Sequence, residues 1–465
     1  MATLKIKNTL GNTKEEFIPI DDSNVRIYAC GPTVYDYAHI GNARMAVVND
    51  LLIRLLRHLY PKVTYVSNIT DIDDKIINAA QKKGQPFQEL TRKFEIIYNE
   101  DMATLGVKYP DIQPRATEHI AEMIELTKKL IEQGHAYEKE GHVLFNVPSF
   151  QKYGCLSGRN REEQIAGSRV EVAPFKKDPT DFILWKPSLD PLPGWDTPWG
   201  FGRPGWHLEC SAMSEKTLGL PFDIHSGGMD LIFPHHENEI AQSCAAHKKM
   251  DDPKSFAKYW MHNGFVIVDG EKMSKSIGNI RLVHELIKEY RGEVLRLALL
   301  SSHYRQPLNW TSSAIEQARK TLDRLYRSLK ILDDIKLEKE LVIKPPSEIL
   351  EVLCDDLNTP KVLVELNALA DQAFKTDSNE KRKIKTGLIA MGSLLGILQE
   401  NPDVWLGYGQ NQNIDSQTIE KLINERKEAR REGDFNRADN IREKLKNMGI
   451  AIEDTKDKTI WRNIK

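Results

Sequence analysis

Residues 27–50 read IYACGPTVYDYAHIGNARMAVVND. Residues 27–30 are a short apolar run suited to a buried strand. Gly31-Pro32 ends it, and a helix starts near Gly41-Asn42 and runs through 43–52 with apolar residues at helical spacing. Such a strand–turn–helix turns backbone N–H groups and the positive end of the helix dipole towards a phosphate. His39, Gly41 and Asn42 stand at that point, and Cys30 closes the strand beside it. One segment thus offers a phosphate site and a thiolate together. Alone, the four residues His-Ile-Gly-Asn are a weak signal, since a histidine before a helix is more often a satisfied polar residue.

Residues 62–66 are a second strand. Strand, helix and strand within about forty residues make a βαβ unit and so a parallel sheet. The polar residues that follow, Thr70 and Asp71, fall at its carboxyl edge, where open α/β sheets bind ligands. Asp71, Asp73 and Asp74 could hold Mg²⁺. Acids at a helix N-terminus are also stabilised by its dipole, and that reading is preferred, with Thr70 kept as a substrate contact. Upstream, residues 4–28 are β-rich in pattern.

The length of 465 residues suggests roughly three domains. A net charge of −2 does not announce a nucleic-acid binder, although a local basic face would suffice. The five cysteines, at 30, 155, 210, 244 and 354, are odd in number and scattered. They suit metal-ligating thiols in a reducing cytoplasm better than a disulfide framework. No apolar leader opens the sequence and no stretch has the apolar length of a membrane span, so no membrane partner is expected.

Residues 87–137 are helical in pattern, with one helix opening at 115–120 and closing at Gly134. Residues 136–145 read as a hairpin turning at Glu140-Gly141. Residues 151–205 look irregular, rich in Gly, Pro and Trp. Residues 200–205, GFGRPG, are a literal G-x-G-x-x-G. No strand precedes it and a proline sits inside it, so a dinucleotide fingerprint is rejected; a tight loop letting the backbone approach a ligand is expected instead. Residues 205–214, GWHLECSAMS, enter a helix. A strand at 222–225 precedes Gly227, Gly228 and Asp230, a pattern that suits a nucleoside whose ribose hydroxyls meet the carboxylate.

Pro234 favours a helix start. His235 and Glu239 then stand four apart on one face, and His236 with Glu239, three apart, is the alternative. Such pairs are most often surface hydrogen bonds. With two thiols elsewhere, Cys30, Cys210, His235 and Glu239 would make a Cys₂-His-Glu zinc site, although spacing alone does not bring three distant segments together. Residues 262–271 form a strand with a turn leading into 272–279, KMSKSIGN. Its two lysines, Lys272 and Lys275, make a cationic lid able to hold a polyphosphate, though a solvated turn is the commoner fate of such a loop. It is not a Walker A loop.

His39-Ile-Gly-Asn42 followed by Lys272-Met-Ser-Lys-Ser276 resembles the two-part signature of class I aminoacyl-tRNA synthetases. Tyr28–Asp36, Asn68–Asp74, Gly205–Cys210 and Phe233–Glu239 narrow the likeness to the cysteinyl-tRNA synthetase family, over essentially the full length. One departure is Asn42, where the class signature has histidine; an amide still donates to phosphate. The resemblance implies one zinc ion per chain on Cys30, Cys210, His235 and Glu239. It implies ATP with Mg²⁺ at His39, Gly41, Asn42, Gly228, Asp230 and Lys275, and a cysteine pocket of Cys30, Thr70, Trp206 and His225. Phosphoryl chemistry falls to His39, Asn42, Lys272 and Lys275. A thiol-selective metal explains how cysteine is told from serine, where packing alone gives about 1–3 kcal/mol.

The expected fold is α/β: a Rossmann-like parallel-sheet catalytic domain with an insertion, then a helical bundle and a small C-terminal α+β module. The ranges are 1–115 for the first half of the catalytic domain, 116–205 for the connective insertion and 206–260 for the second half. They continue with 261–310 for a stem-contact region with the lysine loop, 311–400 for the bundle and 401–465 for a linker and anticodon-binding module. Helices are expected at 314–332, 360–370, 385–398, 419–433 and 435–449, an apolar turn at 349–354, a linker at 401–413, and a β pair at 450–453 and 459–464. By resemblance, Arg430, Asp439, Asp454 and Trp461 meet unstacked anticodon bases; a solvated charged face is the plain alternative. The partners implied are ATP, L-cysteine and tRNA(Cys), acting on a cytoplasmic monomer. Two rivals remain: a cysteine ligase with an amino-sugar acceptor, which would need no tail at 415–465, and a non-catalytic zinc and RNA-binding relative, which would be expected to lose His39 or Lys275.

Overall fold

The strand expected at 27–30 is Val25–Ala29, buried at four of its five positions. In this computed structural model it lies inside a four-stranded, wholly parallel sheet. The order is Ala257–Asn263, Phe222–Gly228, Val25–Ala29, Val63–Ser67. The description covers residues 2–167, 174–189, 191–337, 344–375, 378–408, 416–454 and 459–463. They divide into two units, Met1–Ile315 with Ser347–Val362, and Glu316–Pro346 with Leu363–Lys465.

The central strands read as apolar, β-branched runs because both faces are covered. Helix Ile40–Leu59 packs against the sheet, as does helix Trp206–Leu218. The first of these begins at His39 and ends at Tyr60, just before Pro61, longer than the 43–58 its apolar spacing marks. From Val25–Ala29 the chain crosses to Val63–Ser67 on one side. It later returns to Phe222–Gly228 on the other. That reversal opens a crevice at the carboxyl ends of the two central strands, where Cys30 and Gly227-Gly228 lie.

Arg44 ties this helix to the rest of the unit. It is fully buried and donates to the carbonyls of Gly264, Phe265, His303 and Gln306 and to the Ser302 hydroxyl at 2.7–3.1 Å. Gly264-Phe265 lead into the strand Val266–Val268, which pairs with Glu271–Lys272. One buried guanidinium therefore joins the helix behind His39 to the base of the lysine loop.

The acids at 71–74 serve structure. Asp73 caps helix Asp74–Lys83 by accepting the Lys75 N–H at 2.7 Å. Asp71 accepts from the Thr117 N–H and hydroxyl at 3.0 and 2.6 Å.

The region 151–205 is less irregular than its composition suggests. It supplies two strands, Phe182–Pro187 and Gly202–Pro204, to an antiparallel sheet with the expected hairpin Ala136–Lys139 and His142–Phe145. The hairpin turns at Glu140 and Gly141, both at positive φ. The G-x-G-x-x-G reading is corrected here. A Cβ on Gly202 would lie 2.4 Å from the Lys186 carbonyl oxygen, and one on Gly205 2.1 Å from that of Ile183. These glycines admit a neighbouring strand rather than a ligand. A three-residue strand holding Arg-Pro gives no periodic signal.

In the second unit, helices include Thr359–Ala373, Ser378–Leu395 and Pro402–Leu406, and Tyr326 stacks on Trp405 with centroids 4.4 Å apart. The expected linker at 401–413 contains the short helix Pro402–Leu406; residues 409–413 lie outside the described residues. The apolar turn at 349–354, in the first unit, is the helix Ser347–Cys354. At the C-terminus, helices Ser416–Arg431 and Phe435–Asn447 pack with the antiparallel pair Ile450–Asp454 and Thr459–Asn463. Their core is Ile419, Leu422, Ile423, Ile441, Leu445, Ile450 and Trp461. Residue 464 of the expected β pair lies outside the described residues.

Candidate active site and metal centre

Cys30 follows the central strand, Cys210 lies in the second turn of helix Trp206–Leu218, and His235 and Glu239 flank the start of helix Glu237–Ala246. The fold brings all four together. Cys30 Sγ lies 3.5 Å from Cys210 Sγ, 3.4 Å from His235 Nε2 and 3.6 Å from a Glu239 oxygen. His235 Nε2 is 3.0 Å from Glu239 Oε1, the four-residue spacing expected on one helical face. Their donor atoms all lie within 4.8 Å of one another, and every one is buried.

The alternative histidine is also present. His236 Nε2 is 3.3 Å from Cys30 Sγ, and Cys30, His225, His236 and Glu239 form a second overlapping set within the same 4.8 Å. His225 Nε2 bonds Glu239 Oε2 at 2.9 Å and His207 Nδ1 bonds His235 Nδ1 at 2.9 Å. Each therefore backs a member of the first set from outside, as partners of metal ligands do. His236 is backed by His262 at 2.8 Å, and His262 by Thr9 at 2.7 Å. Sequence reading missed His207 and His262, which come from segments with no histidine pattern.

The donor set fits a metal. The Cys30 thiol hydrogen-bonds Cys210 and lowers that thiol to about 6, while burial and Cys210 push Cys30 well up. Burial alone would raise Glu239, but His225 and His235 outweigh it and hold the carboxyl down to about 2. Negative charge so concentrated out of water wants a cation. The Tyr28 hydroxyl and His225 Nδ1 are buried without a hydrogen-bond partner. Two thiols with imidazole and carboxylate are the ligand types of borderline-soft divalent ions.

The phosphate corner is built from a capping box. His39 Nδ1 accepts the N–H groups of Gly41 and Asn42 at 3.1 and 3.3 Å, and Asn42 Oδ1 accepts the His39 N–H at 3.1 Å. An Nδ1 that accepts leaves the proton on Nε2. Burial lowers the His39 pKa against the opposing pull of Asp230, so the ring is a neutral donor. Gly41 is glycine because a Cβ would lie 2.9 Å from the His39 ring.

The lysine loop reaches this corner. Downstream of it, Ile40 N–H donates to the Arg281 carbonyl at 3.0 Å and Val283 N–H to that of Ala38 at 2.9 Å. Lys275 Nζ lies 5.5 Å from the Tyr35 ring centroid, and Lys272 is exposed in the strand Glu271–Lys272. Asn279 pins the loop by accepting the Ser274 N–H at 2.9 Å.

Gly228 ends its strand and Asp230 follows in a short turn. Gly227 is held to glycine by the His236 ring, 2.7 Å from an added Cβ. Trp206 stacks on His235, with centroids 4.1 Å apart and planes at 22°. Thr70 donates to Glu209 Oε2 at 3.0 Å. Burial, then Cys210, pushes the Glu209 carboxyl well up. A cavity of about 180 Å³ opens between Trp206, Glu209, Asp73 and the insertion strands.

In the second unit, Asp454 is gripped by Arg426 through two 2.9 Å bonds and by Arg430 at 2.6 Å. Asp439 is exposed on helix Phe435–Asn447. Trp461 is only 9% exposed and sits in the module's core, so its ring face is not presented for stacking.

Among the described residues, no helix is long and apolar enough to cross a membrane. A family model described as tRNA synthetases class I (C) catalytic domain matches residues 16–320. Another, described as Cysteinyl-tRNA ligase anticodon binding domain, matches residues 416–462. The chain is 54% identical over 464 residues to the Cysteine–tRNA ligase of Rhodospirillum rubrum, covering 99% of each. It is 55% identical over 461 residues to that of Parvibaculum lavamentivorans, covering 99% of this chain and 97% of the other. A solved structure, Mycobacterium tuberculosis methionyl-tRNA synthetase in complex with methionyl-adenylate, superposes with a TM-score of 0.60 over 85% of this chain and 96% of that one. At 16% identity that likeness concerns the fold alone.

Proposed function

The chain belongs to the cysteine–tRNA ligase family of class I tRNA synthetases, and we propose that it activates L-cysteine with ATP and passes the cysteinyl group to the 3′ end of tRNA(Cys). The observation that carries this reading is the convergence of two thiols, an imidazole and a carboxylate at the carboxyl edge of the sheet that also presents His39.

In the first step the cysteine carboxylate attacks the α-phosphorus of ATP. A P–O bond to the substrate forms, the bond to the β-phosphate oxygen breaks, and pyrophosphate leaves. A carboxylate is already nucleophilic, so positioning and charge stabilisation carry the step. His39 donates from Nε2 to phosphate, Asn42 from its amide, and Lys272 and Lys275 close over the charge, with Mg²⁺ accompanying the nucleotide. Gly228 and Asp230 receive the nucleoside. In the second step a terminal ribose hydroxyl of the tRNA attacks the acyl carbon and AMP leaves.

Cys30, Cys210, His235 and Glu239 would hold one zinc ion, which supplies preferential binding of a thiolate over a hydroxyl. Thr70, Trp206 and His225 line the same corner; His225 acts there through Glu239. The segment 261–310 is assigned to the acceptor stem and residues 416–462 to the anticodon, with Arg430 and Asp439 as contacts. Asp454 positions Arg430, and Trp461 supports the module from within. A monomer working in the cytoplasm completes the reading.

The test is cysteine-dependent ATP–pyrophosphate exchange with serine as control and zinc measured on the same sample. Exchange with cysteine alone supports the adenylation site, and charging of tRNA then excludes the amino-sugar acceptor. No exchange in a folded, zinc-loaded sample overturns the reading in favour of a binding protein.

A further inference from the structure

Thr70 is 2% exposed and stands in a directed chain of hydrogen bonds. The Gly31 N–H donates to Asn68 Oδ1 at 2.9 Å, Asn68 Nδ2 donates to Thr70 Oγ1 at 3.3 Å, and Thr70 donates to Glu209 Oε2 at 3.0 Å. Every direction in this chain is forced. The backbone N–H only donates, which fixes the Asn68 amide; an amide NH₂ only donates, so Thr70 receives it; the Thr70 proton is then committed to the carboxylate. One lone pair of Thr70 Oγ1 remains as an acceptor.

Glu209 itself is 1% exposed and lines the 180 Å³ cavity together with Asp73 and Trp206. The cationic side chains Lys186 and Arg203 of the same cavity are engaged by Asp74. Among the described residues, the one side-chain hydrogen-bond partner of Glu209 is the Thr70 hydroxyl. A carboxylate buried this deeply without a cationic partner is out of balance until a cation is brought to it.

We infer that Glu209 is a positioning residue for the amino-acid substrate: it fixes the Thr70 hydroxyl as an acceptor and supplies the counter-charge for a primary ammonium group. The inference rests on the cysteine-activating reading above and adds to it. The metal corner reads the thiol, while Glu209, acting through Thr70, reads the amine, so the site distinguishes an aminothiol from a thiol acid.

The test uses the full-length, zinc-loaded chain and three thiols: L-cysteine, cysteamine, which lacks the carboxylate, and 3-mercaptopropionate, which lacks the amine. The readouts are KM for cysteine in pyrophosphate exchange and binding of the other two by calorimetry. In Glu209→Gln, cysteine and cysteamine weaken about 10- to 100-fold, and 3-mercaptopropionate is unchanged. Thr70→Val gives the same selective loss, and the double variant loses no more than either single. Equal weakening of all three thiols, or of none, overturns the inference. Should Glu209→Gln fail to fold, Thr70→Val alone carries the comparison. A wild-type chain without cysteine-dependent exchange would remove the activity reading instead, and the cysteamine to 3-mercaptopropionate binding ratio would still decide the role of Glu209.

Discussion

Asn42 Oδ1 accepts the backbone N–H of His39 at 3.1 Å while His39 Nδ1 accepts that of Asn42 at 3.3 Å, so the two signature side chains cap one another's backbone. The bond spends the acceptor of the Asn42 amide and leaves its NH₂ to donate. Asn42→Ala should therefore lose about 1 kcal/mol of stability and about 10²–10³ in pyrophosphate exchange. Asn42→Asp keeps the cap but replaces the donor with a charge that repels phosphate. It should melt like the wild type and be at least as inactive as Asn42→Ala. An active Asn42→Asp would show that the residue only caps the helix.

The two overlapping donor sets differ in Cys210 and His235 against His225 and His236. If the first set holds the ion, Cys210→Ser abolishes bound zinc. His225→Ala, which removes the support of Glu239 Oε2, weakens zinc by about 10- to 100-fold. His236→Ala should do no more than that. Metal content after dialysis against a graded chelator distinguishes them; the reverse order would assign the ion to the second set.

Gly202→Ala should disrupt the pairing of Gly202–Pro204 with Phe182–Pro187, since the new methyl group meets the Lys186 carbonyl at 2.4 Å. A loss of about 1–3 kcal/mol is expected, with KM for ATP unchanged. A raised KM for ATP at unaltered melting temperature would restore a ligand role to that loop.

The Asp454 carboxyl is held below its usual range, first by hydrogen bonds from Arg426. A depressed folded pKa means that its stabilisation is complete above the unfolded value of 3.8 and is lost as pH falls through the lower folded value. Its side chain is 37% exposed, so solvent screens the pair and the effect is modest. Asp454→Asn should lower the melting temperature at pH 6 and converge with the wild type in strong acid. A constant gap at all pH values would assign the effect to packing.

Legibility followed locality. The βαβ unit and the helix start at His39 depend on neighbours in sequence and could be read there, as could the four-residue spacing of His235 and Glu239. The short strand Gly202–Pro204 could not, because pairing with Phe182–Pro187 creates it and its own residues lack β propensity. Arg44 reads as one more polar residue on an apolar helix; only the folded chain reveals four backbone carbonyls around it. Glu209 is adjacent to Cys210 and reads as an ordinary helix acid, and its burial against Thr70 comes from the crossing of two segments 139 residues apart. Trp461 matches an exposed recognition pattern by type, yet the two helices before it lack a large enough apolar face without it.

The order of the sheet has a consequence during synthesis. Val25–Ala29 needs Phe222–Gly228 on one flank, and the ribosome delivers that strand about 190 residues later. At roughly 5–20 residues per second the interval is about 10–40 s. Throughout it an apolar strand has one open edge, a template for pairing with other nascent chains. Cys30 meanwhile lacks Cys210, His235 and Glu239. Chains stopped before residue 222 should be insoluble, and the ion can be loaded only once translation has passed the second half of the sheet.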